Sequence, residues 1–193
     1  MESVYSEWRN YDRAYQAGGP VAAPMLSELA KSTCSCGCEY LVMAVEFIPN
    51  DGMETCRKLW QFSFHAVLTL HQKAGRLQCD LKPGNMRWNN GVVRLIDFEH
   101  ALDIAANAKW ARGTEGYQAP EILEGSTKTD AYSVGATIAN IMEAFWRDQQ
   151  DDDESNQILD MLQEISRNLT DSDPQRRWSL ERALQELQET PSS

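Results

Sequence analysis

Positive charge is scarce in this sequence. Lysine and arginine number 18 against 29 aspartates and glutamates, which leaves a net charge of -11. Nucleic acids and anionic membranes reward basic patches, so this balance argues against both as partners. Long apolar runs are missing as well. Nothing approaches the ~18 consecutive apolar residues that a membrane-spanning helix needs. The opening Met1-Glu2-Ser3-Val4 lacks the basic-then-apolar pattern of a secretory signal. Cysteine is limited to five, an odd number that does not build a secreted disulfide framework. A cytoplasmic or nuclear protein, not a secreted one, is therefore expected. With 193 residues and 42% apolar content, the chain has enough material for one good core.

The informative stretch runs from Asp80 to Glu99. It reads Asp80-Leu81-Lys82-Pro83-Gly84-Asn85, then a short turn, then Leu95-Ile96-Asp97-Phe98-Glu99. Asn90-Gly91 is a strong two-residue hairpin signal, because both positions tolerate a positive φ. Folding the chain there sets Trp88 opposite Val93, Met86 opposite Leu95 and Asn85 opposite Ile96. Asp97 then lies one residue from facing Asn85. Residues paired across strands sit roughly 5 Å apart, so the two side chains can converge. An amide oxygen and a carboxylate at that spacing suit a hard cation such as Mg²⁺, with phosphate and water completing its shell. Asp80 supplies a proton acceptor and Lys82 a positive charge. One base, one cation and two metal ligands within twenty residues describe a phosphoryl-transfer site.

These residues resemble the catalytic and metal loops of the protein-kinase superfamily, whose pattern is His-Arg-Asp-Leu-x-x-x-Asn, Asp-Phe-Gly and Ala-Pro-Glu. Here the three motifs read Gln78-Cys79-Asp80-Leu81-Lys82-Pro83-Gly84-Asn85, Asp97-Phe98-Glu99 and Ala119-Pro120-Glu121. Gly113-Thr114-Glu115-Gly116-Tyr117 precedes the third, and the likeness continues through Asp130-Ala131-Tyr132-Ser133-Val134-Gly135 and Asp173-Pro174-Gln175-Arg176-Arg177. It covers most of the chain from about residue 40 onward. The resemblance implies an α+β, protein-kinase-like fold. A partial small lobe would occupy residues 1–50, and a mainly helical large lobe residues 51–190 with a short β-hairpin at the site. It implies ATP and Mg²⁺ as cofactors. Asp80, Lys82 and Thr114 would be catalytic, and Asn85 and Asp97 would hold the metal. The backbone at Glu46 and Ile48 would meet the adenine edge, with Val45 at the gate of that pocket. Asp130 would brace the start of the catalytic loop, and Arg177 would pair with Glu121.

The remaining chain reads as follows. Trp8, Tyr11 and Tyr15 are spaced for a helix that ends at Gly18-Gly19-Pro20. By resemblance that helix is the regulatory one, with Glu7 as its ion-pairing glutamate; an ordinary amphipathic helix is the alternative. Pro24-Met25-Leu26 marks a short strand. Cys34-Ser35-Cys36-Gly37-Cys38 lacks a fourth zinc ligand nearby and reads as a tight loop between strands. Tyr40 to Ile48 reads as a buried strand. Met53 to Ala74 reads as a helix with Leu59, Phe62, Ala66 and Leu70 inward, and with His65 and His71 as packing or surface residues. Lys128 to Arg147 is a helix apolar on more than one face. Asp148 to Ser155 reads as an acidic loop. Ile158, Leu162, Ile165 and Leu169 mark another helix, and Leu180, Ala183, Leu184 and Leu187 the last, capped by Ser179.

Three departures from the family pattern carry expectations. Between Phe98 and Gln118 the only hydroxyl side chains are Thr114 and Tyr117, and Cys79 stands where the phosphate-receiving arginine would be. Donor and receiver of a phosphate switch are absent together, so no activation-loop phosphoswitch is expected. Glu99 in place of glycine adds a carboxylate beside the metal loop and restricts positive φ. No Gly-x-Gly-x-x-Gly occurs, and Lys31 is the sole lysine before residue 50. Two function classes follow. One is a serine/threonine protein kinase acting on a protein substrate. The other is an inactive pseudokinase module docking on a partner kinase or its substrate. A small-molecule kinase of the aminoglycoside or choline type is a lesser alternative.

Overall fold

The computed structural model describes residues 30–33, 39–42, 52–89, 92–106, 112–145 and 153–189. Four helices form its bulk: α1 (Gly52–Ala74), α2 (Thr127–Phe145), α3 (Asp153–Leu169) and α4 (Leu180–Glu189). Three two-stranded antiparallel sheets accompany them. β1 (Ala30–Thr33) pairs with β2 (Glu39–Val42), β3 (Arg76–Leu77) with β6 (Leu102–Asp103), and β4 (Met86–Asn89) with β5 (Val92–Leu95). This is the α+β architecture expected, with a short hairpin following the Asp80 loop. The proposed helix at Glu7–Ala17, the Pro24 strand, the cysteine cluster, and Val45, Glu46 and Ile48 lie outside the described residues. So does residue 50, where the two lobes were expected to divide.

The core lies between α1, α2, α3 and α4 and extends under the β4–β5 hairpin. α1 is buried more widely than its predicted stripe. Trp60, Phe64, Val67 and Leu70 are buried with Ala66, while Leu59 and Phe62 are only partly covered. The reason is that α1 packs against α4 and against β5, so a single helical face does not describe it. His71, read as a packing or surface residue, is buried and hydrogen-bonded to Asp130, whereas His65 is exposed.

α2 starts at a Ser126 cap. The Ser126 hydroxyl accepts the Lys128 N–H at 3.2 Å, and the Ser126 carbonyl accepts the Thr129 N–H at 3.0 Å. Its first half buries polar residues as well as apolar ones: Thr129, Asp130, Ser133 and Thr137 are all covered, while Thr127 is exposed and Lys128, Tyr132 and Ala136 are half-buried. Ser133 and Thr137 satisfy their hydroxyls by donating to carbonyls four residues back, at 3.2 and 2.8 Å. The acidic stretch at Asp148–Ser155 is partly helical, since α3 begins at Asp153. Ser179 caps α4 as expected, its Oγ accepting the Arg182 N–H at 3.3 Å.

α2 packs tightly against the end of α3 at Gly135. A Cβ there would lie 2.7 Å from Leu169 Cβ and 2.9 Å from Thr170 Cγ2. Ser166 Oγ spans the same contact, donating to the Gly135 carbonyl at 2.8 Å. Alanine is the better helix former by about 1 kcal/mol. Overpacking a close helix contact costs roughly 1–3 kcal/mol and outweighs that gain. Gly135→Ala is therefore expected to lower the thermal midpoint measured by circular dichroism; a higher midpoint would contradict the close-contact account.

Candidate active site

The site is built on one buried carboxylate. Asp130, fully enclosed near the start of α2, accepts the main-chain N–H of Gln78 at Oδ2 and of Cys79 at Oδ1, both at 2.9 Å. His71 on α1 lies 2.8 Å from the same Oδ2. Cys79 has φ of +66°, a left-handed conformation that costs a non-glycine residue about 1–2 kcal/mol. Hydrogen bonds to a charged group contribute about 1.5–3 kcal/mol each, so the two from Gln78 and Cys79 outweigh the strain. The kinked chain delivers Asp80 into the site. Asp130 thus braces the loop from its start, as the resemblance implies. The Thr137 hydroxyl reaches the Leu81 carbonyl at 3.3 Å from the next turns of the same helix.

The Asp80 carboxylate holds four donors. Thr114 gives its N–H and its hydroxyl to Oδ1 at 2.8 and 2.7 Å. Lys82 Nζ and Asn85 Nδ2 reach Oδ2 at 2.8 and 3.0 Å. Lys82 Nζ also donates to Thr114 Oγ1 at 2.7 Å, which closes an Asp80–Lys82–Thr114 triangle. Burial by itself would raise the Asp80 pKa. The Lys82 and Thr114 hydrogen bonds, with the Lys82 charge, outweigh it and hold the carboxyl below the usual range. Gly113 makes the Thr114 contact possible: a Cβ there would stand 2.5 Å from the Cys79 carbonyl oxygen.

Lys82-Pro83-Gly84-Asn85 closes in one 3₁₀ turn, with proline at its first position and the Asn85 N–H donating to the Lys82 carbonyl at 2.9 Å. β4 starts at the next residue. The register is the one read from Asn90-Gly91: Met86 pairs with Leu95 and Trp88 with Val93. The ladder runs one step further, the Ile96 N–H donating to the Asn85 carbonyl at 3.0 Å. Asp97 follows directly, left-handed with φ of +60°. Phe98 is fully buried in the core. Burying a phenylalanine is worth about 1.5–3 kcal/mol, enough to offset the backbone cost at Asp97. Glu99 is exposed and, among the described residues, the non-glycine positive φ values fall at Cys79 and Asp97 only. The residue that replaces glycine therefore needs no glycine conformation.

The donor set fits a hard cation with phosphates. Asn85 spends its N–H groups on the carbonyl and carboxylate of Asp80, and its Oδ1 meets no donor among the described residues. The Asp97 carboxylate meets no donor among the described residues and is half-buried. No cluster of three or more His, Cys, Asp or Glu side chains poised for a metal occurs among the described residues. An amide oxygen and one carboxylate suit Mg²⁺ held jointly with nucleotide phosphates, and do not suit a closed protein cage.

A second constellation anchors the segment after Thr114. Arg177 is buried and donates through both terminal nitrogens to Glu121, Nη2 to Oε2 at 3.0 Å. Its Nε reaches the Asp171 carbonyl and its Nη1 the Lys128 carbonyl, both at 2.8 Å, and its guanidinium lies 5.0 Å from the Tyr132 ring centre. A surface arginine is thereby excluded. This clamp ties Ala119-Pro120-Glu121 to α2 and to the α3–α4 connection.

The model of the protein kinase domain matches residues 36–190. The chain belongs to the protein kinase family. Among curated relatives of this kinase domain, serine/threonine-protein kinase mos of Patiria pectinifera is 30% identical over 105 residues, 47% of this chain and 30% of that protein. Serine/threonine-protein kinase PknG of Mycolicibacterium smegmatis is 33% identical over 109 residues, 52% of this chain and 14% of that protein. Cyclin-dependent kinase F-4 of Oryza sativa subsp. japonica is 31% identical over 90 residues, 43% of this chain and 19% of that protein. The kinase domain spans less than a third of the length of these relatives. No helix among the described residues is long and apolar enough to cross a membrane.

Sequence reasoning placed Asp80, Lys82, Thr114 and Asn85, and the structure brings these four into contact. Asp97 follows one residue past the last ladder bond, and Glu46 and Ile48 lie outside the described residues. What the sequence reading missed is Gln78 and His71. Gln78 opens the motif and its side chain bridges backbone groups of Asp80, Ile96 and Asp97, while His71 on α1 meets the Asp130 carboxylate; neither has a spacing that announces it. Burial pushes the Cys79 thiol far above its ordinary pKa, and the nearby Asp130 charge adds to this.

The clamp carries a pH dependence. Burial would raise the Glu121 pKa, but Arg177 outweighs it and lowers the value. A depressed carboxylate stabilises the fold above its unfolded pKa of ~4.3 and loses that contribution as pH falls through the folded value. Glu121→Ala, which strands a buried guanidinium, is expected to cost about 3 kcal/mol at pH 7. Urea titrations should show that gap narrowing below about pH 4; a gap constant down to pH 3 would contradict the ion pair.

Proposed function

We propose that this kinase domain transfers the γ-phosphate of ATP to a serine or threonine hydroxyl of a protein substrate. The observation that carries the reading is the closed Asp80–Lys82–Thr114–Asn85 network, with an unengaged Asp97 carboxylate one residue past the adjoining ladder. Asp80 orients the substrate hydroxyl and accepts its proton as oxygen attacks phosphorus and the bond to ADP breaks. Its lowered pKa makes it a weak base. Phosphoryl transfer passes through a loose transition state in which positioning matters more than early proton removal, so this is no handicap. Lys82 uses two of its three N–H groups on Asp80 and Thr114 and has a third to give to the phosphoryl oxygens. Asn85 Oδ1 and the Asp97 carboxylate hold Mg²⁺, which neutralises charge on the phosphates when bound. Backbone groups at Glu46 and Ile48 receive the adenine. Residues 51–190 carry the chemistry as the large lobe, and residues 1–50 contribute to the small lobe. A lysine two residues after Asp80 favours serine and threonine over tyrosine as acceptors. The cytoplasm or nucleus, where ATP and protein substrates are found, is the proposed place of action.

A second reading, a pseudokinase that binds a partner kinase or its substrate, rests on one observation. No Gly-x-Gly-x-x-Gly occurs in these 193 residues to cover the phosphates. The small-molecule kinase alternative is disfavoured by the Glu121–Arg177 clamp and the Thr114 segment it supports, which belong to the protein-kinase pattern.

The test is phosphate transfer from Mg–ATP to a generic protein substrate, with Asp80→Asn alongside. The reading predicts transfer that falls by about 10²-fold or more in the variant, the range expected for a positioned general base. Absence of transfer, with no Mg–ATP-dependent rise in the melting temperature of the unmodified chain, would favour the binding module.

A further inference from the structure

The β4–β5 hairpin carries a charge arrangement to which the function proposed above gives no task. Arg87 and Arg94 stand directly opposite each other in the ladder. Residues so paired sit roughly 5 Å apart, and like charges at that spacing repel. The chain has 29 acidic residues against 18 basic ones, so a carboxylate would be the commoner partner at either place. The pleat decides which face holds this rung. Met86, Val93 and Leu95 are buried in the core. Successive residues of a strand alternate between faces, so Arg87 and Arg94 belong to the other face of the hairpin. The next rung on that face is Asn85 with Ile96, whose N–H bonds the Asn85 carbonyl at 3.0 Å. Asn85 is one of the two residues fitted to Mg²⁺, and Asp97, the other, follows Ile96. The arginine rung thus lies two residues from the metal rung along either strand, roughly 7 Å. Arg94 is half-buried and also interacts within the chain. A guanidinium has five N–H donors, enough to serve a protein partner and a ligand together.

We propose that the Arg87–Arg94 rung is an anion-binding subsite that takes a phosphate of the nucleotide directly, beside the phosphates that the metal holds. The choice of a nucleotide as ligand rests on the phosphotransferase reading; the affinity for phosphate does not. A phosphate between two facing arginines turns their repulsion into charge-assisted contacts. Its oxygens match the planar fork of a guanidinium, which binds phosphate bidentately. The subsite works without a metal, and this separates it from Asn85 and Asp97. It also gives the nucleotide a phosphate grip from the hairpin, in a sequence of 193 residues where no Gly-x-Gly-x-x-Gly occurs.

The experiment measures binding of inorganic tripolyphosphate and of ADP to the whole chain by calorimetry, both with a metal chelator present. Arg87→Met and Arg94→Met remove one charge from each strand while keeping the length of the side chain. Arg94→Lys keeps the charge and loses the fork. Lys73→Met removes an exposed cation from the last turn of α1 and serves as the control. The subsite predicts metal-independent binding of both probes by the parent chain. Each methionine variant on the hairpin should weaken it about tenfold or more, the loss of one charge-assisted contact. Arg94→Lys should fall between Arg94→Met and the parent, and Lys73→Met should match the parent. No binding of either probe by the parent under chelator would overturn the proposal. So would affinities that ignore both arginines, or an equal loss in Lys73→Met, which would mark a general charge effect. Arginine-dependent tripolyphosphate binding by a chain that transfers no phosphate from Mg–ATP would keep the subsite and sink the phosphotransferase reading. Transfer accompanied by arginine-independent binding would do the reverse.

Discussion

The geometry of this kinase domain depends on one enclosed carboxylate. An unpaired buried charge is strongly unfavourable, so Asp130 must be met by donors. The donors are the main chain of Gln78 and Cys79, together with His71. Satisfying Asp130 therefore forces the chain through a left-handed residue immediately before Asp80. The helix core supplies the rigidity: Asp130, Ala131, Ser133 and Val134 of α2 are buried in close-packed surroundings, which hold the carboxylate in place. Energy released in burying the core is in this way spent on holding a strained loop at a fixed place, which is how preorganised sites are generally supported.

From that anchor the remaining parts follow by short links. Asp80 gathers Lys82 and Asn85 from the turn that follows it and Thr114 from farther along the chain. The 3₁₀ turn at Pro83 passes into a hairpin whose register leads to Asp97, and burial of Phe98 pins the far side of that loop. Thr114 can reach Asp80 only because Gly113 lies against the Cys79 carbonyl and because the Arg177–Glu121 clamp holds the segment beyond it. Two ion-pair systems thus act on opposite ends of one stretch, and each is tied to α2, through Asp130 and through the Lys128 carbonyl.

Much of this was legible in the sequence where local rules decide the outcome. Asn90-Gly91 fixed the hairpin register, Ser179 the start of α4, and the order of Asp80, Asn85, Asp97 and Glu121 the family. The two-residue β3–β6 pair was not legible, because a ladder of Arg76 and Leu77 with Leu102 and Asp103 is too short to show a period of two. The wide burial of α1 was missed for a related reason. Periodicity reports one apolar face, while Trp60 and Phe64 are covered by elements distant in sequence. Gln78 and His71 were invisible as site residues, since the backbone groups that Gln78 bridges and the Asp130 carboxylate that His71 meets are brought to them only by the fold. Asp153 to Ser155 read as loop by composition but join α3.

The central claim is that Asn85 and Asp97 share one cation beside Asp80. The most direct measurement replaces Mg²⁺ with Mn²⁺ in the presence of ADP and records paramagnetic broadening of assigned NMR signals along the chain. The account predicts the strongest broadening at Asn85 and Asp97, weaker effects at Asp80 and Lys82, and none at α4. Broadening centred elsewhere, or no nucleotide-dependent broadening at these two residues, would contradict it.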